Sequence, residues 1–192
     1  MERPPHHPRA LILPCVGLPP GFDRGERAPV GVERTETTRQ GRPRGKRFGT
    51  LVHAILAEVE LDAEDASVSL VAAAQGRILG ASPEEIDAGA VAARAALRHP
   101  ILRRAAASDR RGECRREAPI LLPLDDGTVI EGVIDLAFRE MGDAGPEWTV
   151  VDFKTDVELS GRQDKYETQI LLYVKAISAA TGEPSKGVLL SV

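Results

Sequence analysis

Two aspartates and a lysine lie inside short apolar segments that are typical of buried strands. Asp135 ends the segment 132–135, and Asp152 and Lys154 lie within the segment 150–154. A carboxylate in such a segment is costly to desolvate unless it meets a cation or a hydrogen-bond donor. Carboxylates brought together from two strands suit Mg²⁺, because this ion takes oxygen ligands and completes its shell with water and substrate phosphate. The pattern therefore predicts a metal site that hydrolyses a phosphodiester.

Asp152 and Lys154 are two positions apart, so their side chains point to the same side of a strand. Taken alone, this pair could be an ion pair on an edge strand, which contributes little to stability. The apolar residues around it, Val150, Val151 and Phe153, argue against an edge position. We therefore expect the pair on an inner strand.

A helix is predicted over residues 49–60, where apolar residues recur at helical spacing. His53 lies beside the apolar face of this helix. A lone histidine in that position is more often a hydrogen-bonded structural residue than a metal ligand, so both readings stay open on spacing alone. The other predicted helices lie within residues 65–79, between Ser82 and Pro100, and over residues 162–180.

Four strands are predicted from alternating or β-branched apolar segments. They cover residues 118–124, 129–138, 148–154 and 187–192. A tight turn at 125–127 joins the first two as a hairpin, and a loop containing Gly142, Gly145 and Pro146 precedes the third. The elements therefore follow the order helix, strand, strand, strand, helix, strand.

Residues 1–46 are rich in Pro, Gly and Arg and show no sustained period, so a flexible basic tail or linker that adds no core is predicted. Residues 47–192 are predicted to form one domain. Residues 1–47 contain ten of the 25 Lys and Arg residues but five of the 29 Asp and Glu residues. The basic cluster from Arg39 to Arg47 could contact phosphates, or it could be a solvated linker.

Composition indicates a cytoplasmic protein without a membrane partner, because no apolar run could span a bilayer or serve as an export signal. Cys15 and Cys114 lie far apart in the chain, so reduced thiols are expected. Two cysteines are too few for a four-cysteine iron–sulfur cluster. His6, His7 and His99 have no matched partners and are predicted to be exposed to solvent.

Four motifs, in this order and spacing, resemble the RecB and AddA nuclease domains of the PD-(D/E)XK superfamily. The motifs are Gly49-x-x-x-His53, Gly132-x-Ile-Asp135, Asp152-x-Lys154 and Gln169-x-x-x-Tyr173. Each motif alone is weak, whereas four in register over residues 48–192 are a specific signal. The resemblance implies an α/β (α+β) fold with a restriction-endonuclease-like αβββαβ core. It also implies a mixed central sheet flanked by helices, extra N-terminal helices, and a RecB-like nuclease domain at 47–192.

The resemblance implies roles for individual residues. His53, Asp135, Asp152 and the Phe153 backbone carbonyl would bind Mg²⁺ or Mn²⁺. Lys154 would orient or help to deprotonate the attacking water and would offset charge in the transition state. These residues form the predicted metal and catalytic site.

The helix that carries Gln169 and Tyr173 would border this site, and the two residues lie at positions i and i+4 on one helix face. By resemblance, Gln169 and Tyr173 belong to the catalytic set, and Gln169 would hold the catalytic lysine or a DNA phosphate. Tyr166, on the adjoining turn, and Tyr173 could instead be core residues with hydrated hydroxyls. Glu117 resembles an acidic position near the first core strand of the relatives and has no assigned role.

The function that the resemblance implies is a Mg²⁺-dependent exonuclease that acts on DNA, single strands above all, in recombination and repair. Relatives carry this domain on a helicase. This chain has no Gly-x-x-x-x-Gly-Lys-Ser/Thr phosphate loop, so a helicase domain or subunit in trans is expected. A catalytically silent, DNA-binding nuclease fold of a helicase–nuclease complex is the alternative. A small-substrate phosphodiesterase or an RNase on the same scaffold is a third hypothesis.

Overall fold

A computed structural model describes most of the chain. The described residues are 10–12, 30–36, 42–125, 127–155 and 163–192. His6, His7, Cys15 and Arg39 lie outside these residues, so the predictions made for them are not addressed by the structure.

Five helices form in the described part of the chain. They are α1 (Lys46–Glu58), α2 (Asp65–Leu79), α3 (Pro83–Arg98), α4 (Pro100–Asp109) and α5 (Gln163–Thr181). α3 begins with the predicted cap, in which Ser82 and Glu85 exchange hydrogen bonds between side chain and backbone. α4 is absent from the prediction, because Pro100 both ends α3 and occupies the first turn of a new helix. None of the described helices is long and apolar enough to cross a bilayer.

Six strands in the described ranges form one mixed sheet. They are β1 (Ala10–Ile12), β2 (Val30–Arg34), β3 (Cys114–Pro123), β4 (Val129–Gly142), β5 (Gly145–Lys154) and β6 (Ser185–Ser191). The strand order is β1-β4-β5-β6-β2, and β3 pairs with the other edge of β4. β4 is antiparallel to β3 and β5, whereas β1–β4, β5–β6 and β6–β2 are parallel. The predicted mixed sheet with an αβββαβ order is confirmed.

The sheet separates two apolar cores. Helices α1 to α4 cover one face, where Leu51, Ile55 and Phe138 are fully buried. α5 covers the other face, where Ile170 and Tyr173 are buried. Burying a side chain of this size contributes about 1.5–3 kcal/mol, so packing on both faces holds the sheet in place.

β1 and β2 correct the prediction that residues 1–46 add nothing to the core. β2 pairs with β6 over its whole length, from Val30 to Arg34, and β1 pairs with β4. Parallel pairing between segments so distant in the chain leaves no local period in the sequence, which is why the pattern did not reveal it. The sheet therefore extends beyond the predicted bounds 47–192.

His99 is also placed differently from the prediction of solvent exposure. It caps α4, where its Nδ1 accepts the Ile101 N–H at 3.4 Å. Its Nε2 lies 3.6 Å from the Glu33 carboxylate of β2, and the side chain is 13% exposed. His99 therefore ties the helical layer to the sheet.

Candidate active site

The two predicted acids lie where β4 and β5 stop pairing. The ladder between these strands ends at the pair Leu136↔Val151. Beyond that pair, the Phe153 N–H donates to the Asp135 carboxylate at 2.8 Å. Asp152 lies between Val151 and Phe153, so both acids lie at the same end of the ladder.

The Phe153 backbone faces the Asp135 side of β5. On the other side, the Lys154 carbonyl accepts the Val192 N–H at 2.9 Å. Successive residues of a strand direct their backbone groups to opposite edges, so the N–H and carbonyl of Phe153 point away from β6. The carbonyl that was predicted to bind metal therefore points to the edge where Asp135 lies.

β4 changes face at Asp135. Leu136 and Phe138 belong to the core under α1 to α4, whereas Ile130 and Ile134 belong to the core under α5. Even-numbered residues of a regular strand share one face, so β4 turns over between Ile134 and Leu136. Asp135 therefore lies at the crossing, where side chains from both helical layers can reach it.

β3 is irregular where it lies opposite Asp135. The pair that would join Glu117 to Asp135 is missing from the β3–β4 ladder, although the pairs on either side are formed. Glu117 has a φ of 47°, which non-glycine residues rarely adopt and which is found at functional sites more often than elsewhere. Partial burial and the charge of Asp135 raise the pKa of Glu117, whereas the charge of His53 lowers it. The Glu117 carboxyl therefore lies close enough to the site to sense its charges.

His53 reaches Asp135 from α1. The buried stripe that fixes this helix consists of Phe48, Leu51, Val52, Ile55 and Leu56. His53 Nδ1 lies 3.4 Å from Asp135 Oδ1, and the His53 side chain is 27% exposed. The imidazole ring also meets the Phe153 ring edge-on, with 6.1 Å between the centroids. The structure thus brings the predicted histidine to one predicted acid.

Lys154 and Asp152 form a buried ion pair. Lys154 Nζ lies 2.5 Å from Asp152 Oδ2, and the two side chains are 8% and 3% exposed. The ammonium also lies 4.6 Å from the centroid of the Tyr166 ring on α5, which is a cation–π contact. Because both side chains are buried, the alternative of a surface ion pair on an edge strand is wrong.

Burial and charge give the two aspartates different acidities. Burial raises the pKa of Asp152 to about 6; the charge of Asp135 adds to this rise and Lys154 opposes it. Burial would also raise the pKa of Asp135, but the charges of His53 and Lys154 and the hydrogen bonds from His53 and the Phe153 N–H lower it instead. Asp135 is therefore anionic at neutral pH, and Asp152 takes up a proton more readily.

His53 is protonated near neutral pH. Burial would lower its pKa, but the charge of Asp135, the hydrogen bond to Asp135 and the charge of Asp152 raise it to about 9. A metal ligand must be the neutral imidazole, so metal binding at His53 requires the loss of this proton.

α5 brings Gln169 and Tyr173 to the acids from the opposite layer. Gln169 Nε2 donates to the Tyr173 hydroxyl at 2.9 Å, and both side chains are buried. Burial raises the pKa of Tyr173 to about 12; the hydrogen bond from Gln169 opposes this, and the charges of Asp152 and Asp135 add to it. Tyr173 therefore lies near both acids and keeps its proton. Among the described residues, Gln169 Oε1 is buried without a hydrogen-bond partner.

The donor types at the site fit a divalent metal ion. Two carboxylates, an imidazole and a backbone carbonyl suit Mg²⁺ or Mn²⁺. Within the part of the chain that the structure describes, however, no three His, Cys, Asp or Glu side chains are arranged as a metal-binding group. His53 faces Asp135 and Lys154 faces Asp152, so metal binding by all three predicted side chains would have to replace these two contacts.

Two features of the site were missed by the sequence analysis. Tyr166 contacts Lys154 through its ring face, although only its hydroxyl was considered. The reversal of β4, with the strained backbone of Glu117 beside it, has no local signal, because glutamate is not a residue that marks positive φ.

A family model described as the PD-(D/E)XK nuclease superfamily matches residues 26–192 of the chain. The matched range includes β2 to β6, all five helices and every predicted site residue. No curated protein matches the chain.

Proposed function

The chain belongs to the PD-(D/E)XK nuclease superfamily, and we propose that it is a nuclease that hydrolyses DNA phosphodiesters with Mg²⁺ or Mn²⁺. The observation that carries the proposal is the buried Lys154–Asp152 pair beside the His53–Asp135 pair. Apolar residues of similar volume would stabilise the fold as well as a buried ion pair or better. Strongly perturbed pKa values are typical of functional sites, so this cluster is better explained by chemistry than by stability.

His53, Asp135, Asp152 and the Phe153 carbonyl would hold the metal ion. Such an ion supplies Lewis-acid activation of the phosphoryl group and of water. Asp135, with its lowered pKa, offers a full negative charge to a cation at neutral pH. His53 becomes a ligand once it has released its proton, so metal affinity should rise with pH.

Lys154 orients the attacking water and offsets the negative charge that develops on the phosphoryl oxygens. Its ammonium is held between the Asp152 carboxylate and the Tyr166 ring, so its position is set before substrate arrives. A cation fixed in this way needs little reorganisation during the reaction.

Gln169 and Tyr173 act as positioning residues. Their hydrogen bond fixes the Tyr173 hydroxyl in the neighbourhood of both acids. A protonated hydroxyl can donate to a carboxylate oxygen and thereby restrain its orientation. In this role Gln169 acts on the acids through Tyr173.

Within the superfamily, we place the chain in the RecB- and AddA-like branch. The spacings Gly49-x-x-x-His53 and Gln169-x-x-x-Tyr173 support this placement, as does the contact between His53 and Asp135. The corresponding role is an exonuclease that degrades single strands during recombination and repair in the cytoplasm. A helicase domain or subunit in trans would supply those strands.

Cleavage of end-labelled single-stranded and double-stranded DNA, with Mg²⁺, Mn²⁺ or chelator, tests the proposed function. We expect cleavage with either metal and none with chelator. Lys154→Ala should abolish cleavage, because it removes the cation from the site, and circular dichroism checks that the variant is folded. Lys165→Ala, a matched change at an exposed position of α5, should cleave like the parent protein. Full cleavage by Lys154→Ala, or a parent protein inactive with every metal, would contradict the proposal.

DNA binding without cleavage is the second candidate function. It is favoured by the finding that, among the described residues, no three donors are arranged as a metal-binding group. The presence of His53, Asp135, Asp152 and Lys154 together argues against it, since a silent relative is expected to lose at least one of them. A gel in which DNA is shifted but stays intact with Mg²⁺ and Mn²⁺ would identify this alternative. Inhibition of DNA cleavage by added RNA or by a small phosphodiester would support the third hypothesis, that the chain is an RNase or a small-substrate phosphodiesterase.

A further inference from the structure

The carboxyl ends of three parallel strands align beside the site. In the sheet register, Lys154 of β5 is opposite Ser191 of β6, and Ser191 is opposite Arg34 of β2. Adjacent strands are about 4.8 Å apart, so the Lys154 and Arg34 backbones are about 10 Å apart. Arg34 is exposed at this edge of the sheet.

A second set of contacts leads from Lys154 to more cations. The Lys154 carbonyl accepts the Val192 N–H, and the Val192 carbonyl accepts a hydrogen bond from the Arg42 guanidinium at 2.8 Å. Arg42 also stacks over the Phe48 ring at 5.2 Å from its centroid, which anchors the start of α1. Exposed cations continue from there into the first turn of α1. We call the whole set the basic edge; it consists of Arg34, Arg42, Arg44, Lys46 and Arg47.

The basic edge contains cations that are not paired with an acid among the described residues. Arg47 is paired with Glu85, and Glu36 lies nearby in sequence, but within the described residues no ion pair joins Arg34, Arg44 or Lys46 to an acid. On the helical layer, by contrast, Arg94 and Arg98 are paired with Asp65, and Arg110 with Asp62. Positive charge is therefore available at the edge next to the site, whereas Arg94, Arg98 and Arg110 of the helical layer are each paired with an acid.

The described residues offer few exposed aromatic rings on which bases could stack. The side chains of Phe48, Phe138, Phe153, Tyr166 and Tyr173 are buried, and Trp148 of β5 is half-buried against the core under α5. Proteins that bind single strands through their bases present aromatic rings on which the bases stack. The basic edge instead offers guanidinium and ammonium groups, which contact phosphates without reading sequence.

We propose that the basic edge binds the phosphate backbone of the nucleic acid on one side of the bond that is cut. The proposal rests on the proposed nuclease function and adds the surface that holds the substrate. The Lys154 and Arg34 backbones are about 10 Å apart, so a short stretch of nucleic-acid backbone can span them. The edge therefore guides a short stretch of backbone toward Lys154 and gives no preference for sequence.

Binding of a fluorescent single strand of about 20 nucleotides, measured by anisotropy with chelator across a salt series, tests the proposal independently of cleavage. The triple variant Arg34→Gln, Arg44→Gln and Lys46→Gln should bind at least tenfold more weakly near physiological salt. The slope of log Kd against log salt should fall by about 2, because each lost phosphate contact accounts for about 0.7 on a single strand. The control Arg77→Gln, Arg103→Gln and Arg110→Gln removes the same charge from the outer helices and should leave the slope unchanged.

Circular dichroism must show that the triple variant is folded, and Arg44→Gln alone is the substitute if it is not. An unchanged slope in the edge variant, an equal loss in the control, or a parent protein that does not bind DNA would overturn the proposal. A parent protein that binds through the edge but never cuts would retain this inference and remove the nuclease function. If the parent protein cuts DNA but the edge variant binds with an unchanged salt slope, the nuclease function would be retained and this inference would be removed.

Discussion

Two clusters of charged residues lie toward opposite ends of the β4–β5 ribbon and differ in how their charges are balanced. In the hairpin cluster, the Arg139 guanidinium contacts Glu183 and Glu113 at distances of 2.7 to 3.0 Å. In the site cluster, His53 faces Asp135 and Lys154 faces Asp152. The hairpin cluster is partly open to water, whereas the Asp152–Lys154 pair is almost completely buried.

Asp152 of the site cluster has a raised pKa, whereas the acids of the hairpin cluster and Asp135 have lowered pKa values. Hydrogen bonds from Arg111 and Arg139 lower the pKa of Glu113, and those from Arg139 lower the pKa of Glu183. Burial raises the pKa of Asp152 despite its pairing with Lys154. The hairpin cluster thus stabilises the ionised carboxylates of Glu113 and Glu183. In the site cluster, burial disfavours the ionised form of Asp152. A site that exchanges protons and binds cations requires this second arrangement.

Neutralising one acid in each cluster should have the largest effect on cleavage and should separate the two clusters. Asp152→Asn should lower DNA cleavage by about 10³-fold or more, because it removes a proposed metal ligand and the partner of Lys154. Glu183→Gln should keep cleavage close to the parent rate and lower the melting temperature, because it removes the negative charge that pairs with Arg139 and lies away from the site. Initial cleavage rates and thermal melts measure both effects. Similar losses of cleavage in the two variants would remove the distinction between the clusters.

The pH dependence of stability reports the charge state of His53 in the site cluster. The pKa of His53 is raised from its ordinary value of 6.5 to about 9, so its protonation stabilises the folded chain. This contribution is complete below about pH 6.5 and is lost as pH rises through about 9. The free energy of unfolding should therefore fall across that window by on the order of 2 kcal/mol, somewhat less than full linkage because the ring is partly exposed.

Urea unfolding with chelator at several pH values between 6.5 and 9 measures this loss. His53→Gln should flatten the curve over the same window. His99→Gln is the matched control, because it removes a histidine away from the acids of the site and should keep the parent slope. A parent protein whose stability is constant or rises over this window would show that His53 is not held protonated by Asp135.

The smallest expected effect concerns the positioning pair on α5. Gln169→Ala and Tyr173→Phe should each lower kcat by about tenfold with little change in KM, since neither contacts the reacting atoms. The double variant should be no worse than either single variant, because both act through one hydrogen bond. Steady-state kinetics on the three variants measure the coupling, and fully additive losses would assign the two residues separate roles.

Local sequence patterns predicted the elements that carry the site. The apolar period of α1 and the β-branched runs of β4 and β5 reflect burial, which is a local property of each segment. These patterns located His53, Asp135, Asp152 and Lys154 on the correct elements. The spacing of Gln169 and Tyr173 likewise predicted a shared helix face, and their hydrogen bond is consistent with it.

Features that depend on contacts between distant segments were not predicted. β2 lies in the sheet because it pairs with β6, and nothing in its own five residues requires that partner. The reversal of β4 at Asp135 and the positive φ of Glu117 lie where the β3–β4 ladder is interrupted and the β4–β5 ladder ends. The role of Arg42 depends on the position of the Val192 carbonyl, which only the folded chain defines.

In the proposed site, one metal ion is bound jointly by an imidazole from α1 and by acids from β4 and β5. A crystal soaked with Mn²⁺ and measured for anomalous scattering tests this binding. We expect one peak at roughly 2.0–2.3 Å from His53, Asp135, Asp152 and the Phe153 carbonyl. Saturating Mn²⁺ that gives no peak there, or a peak that contacts none of these groups, would contradict it.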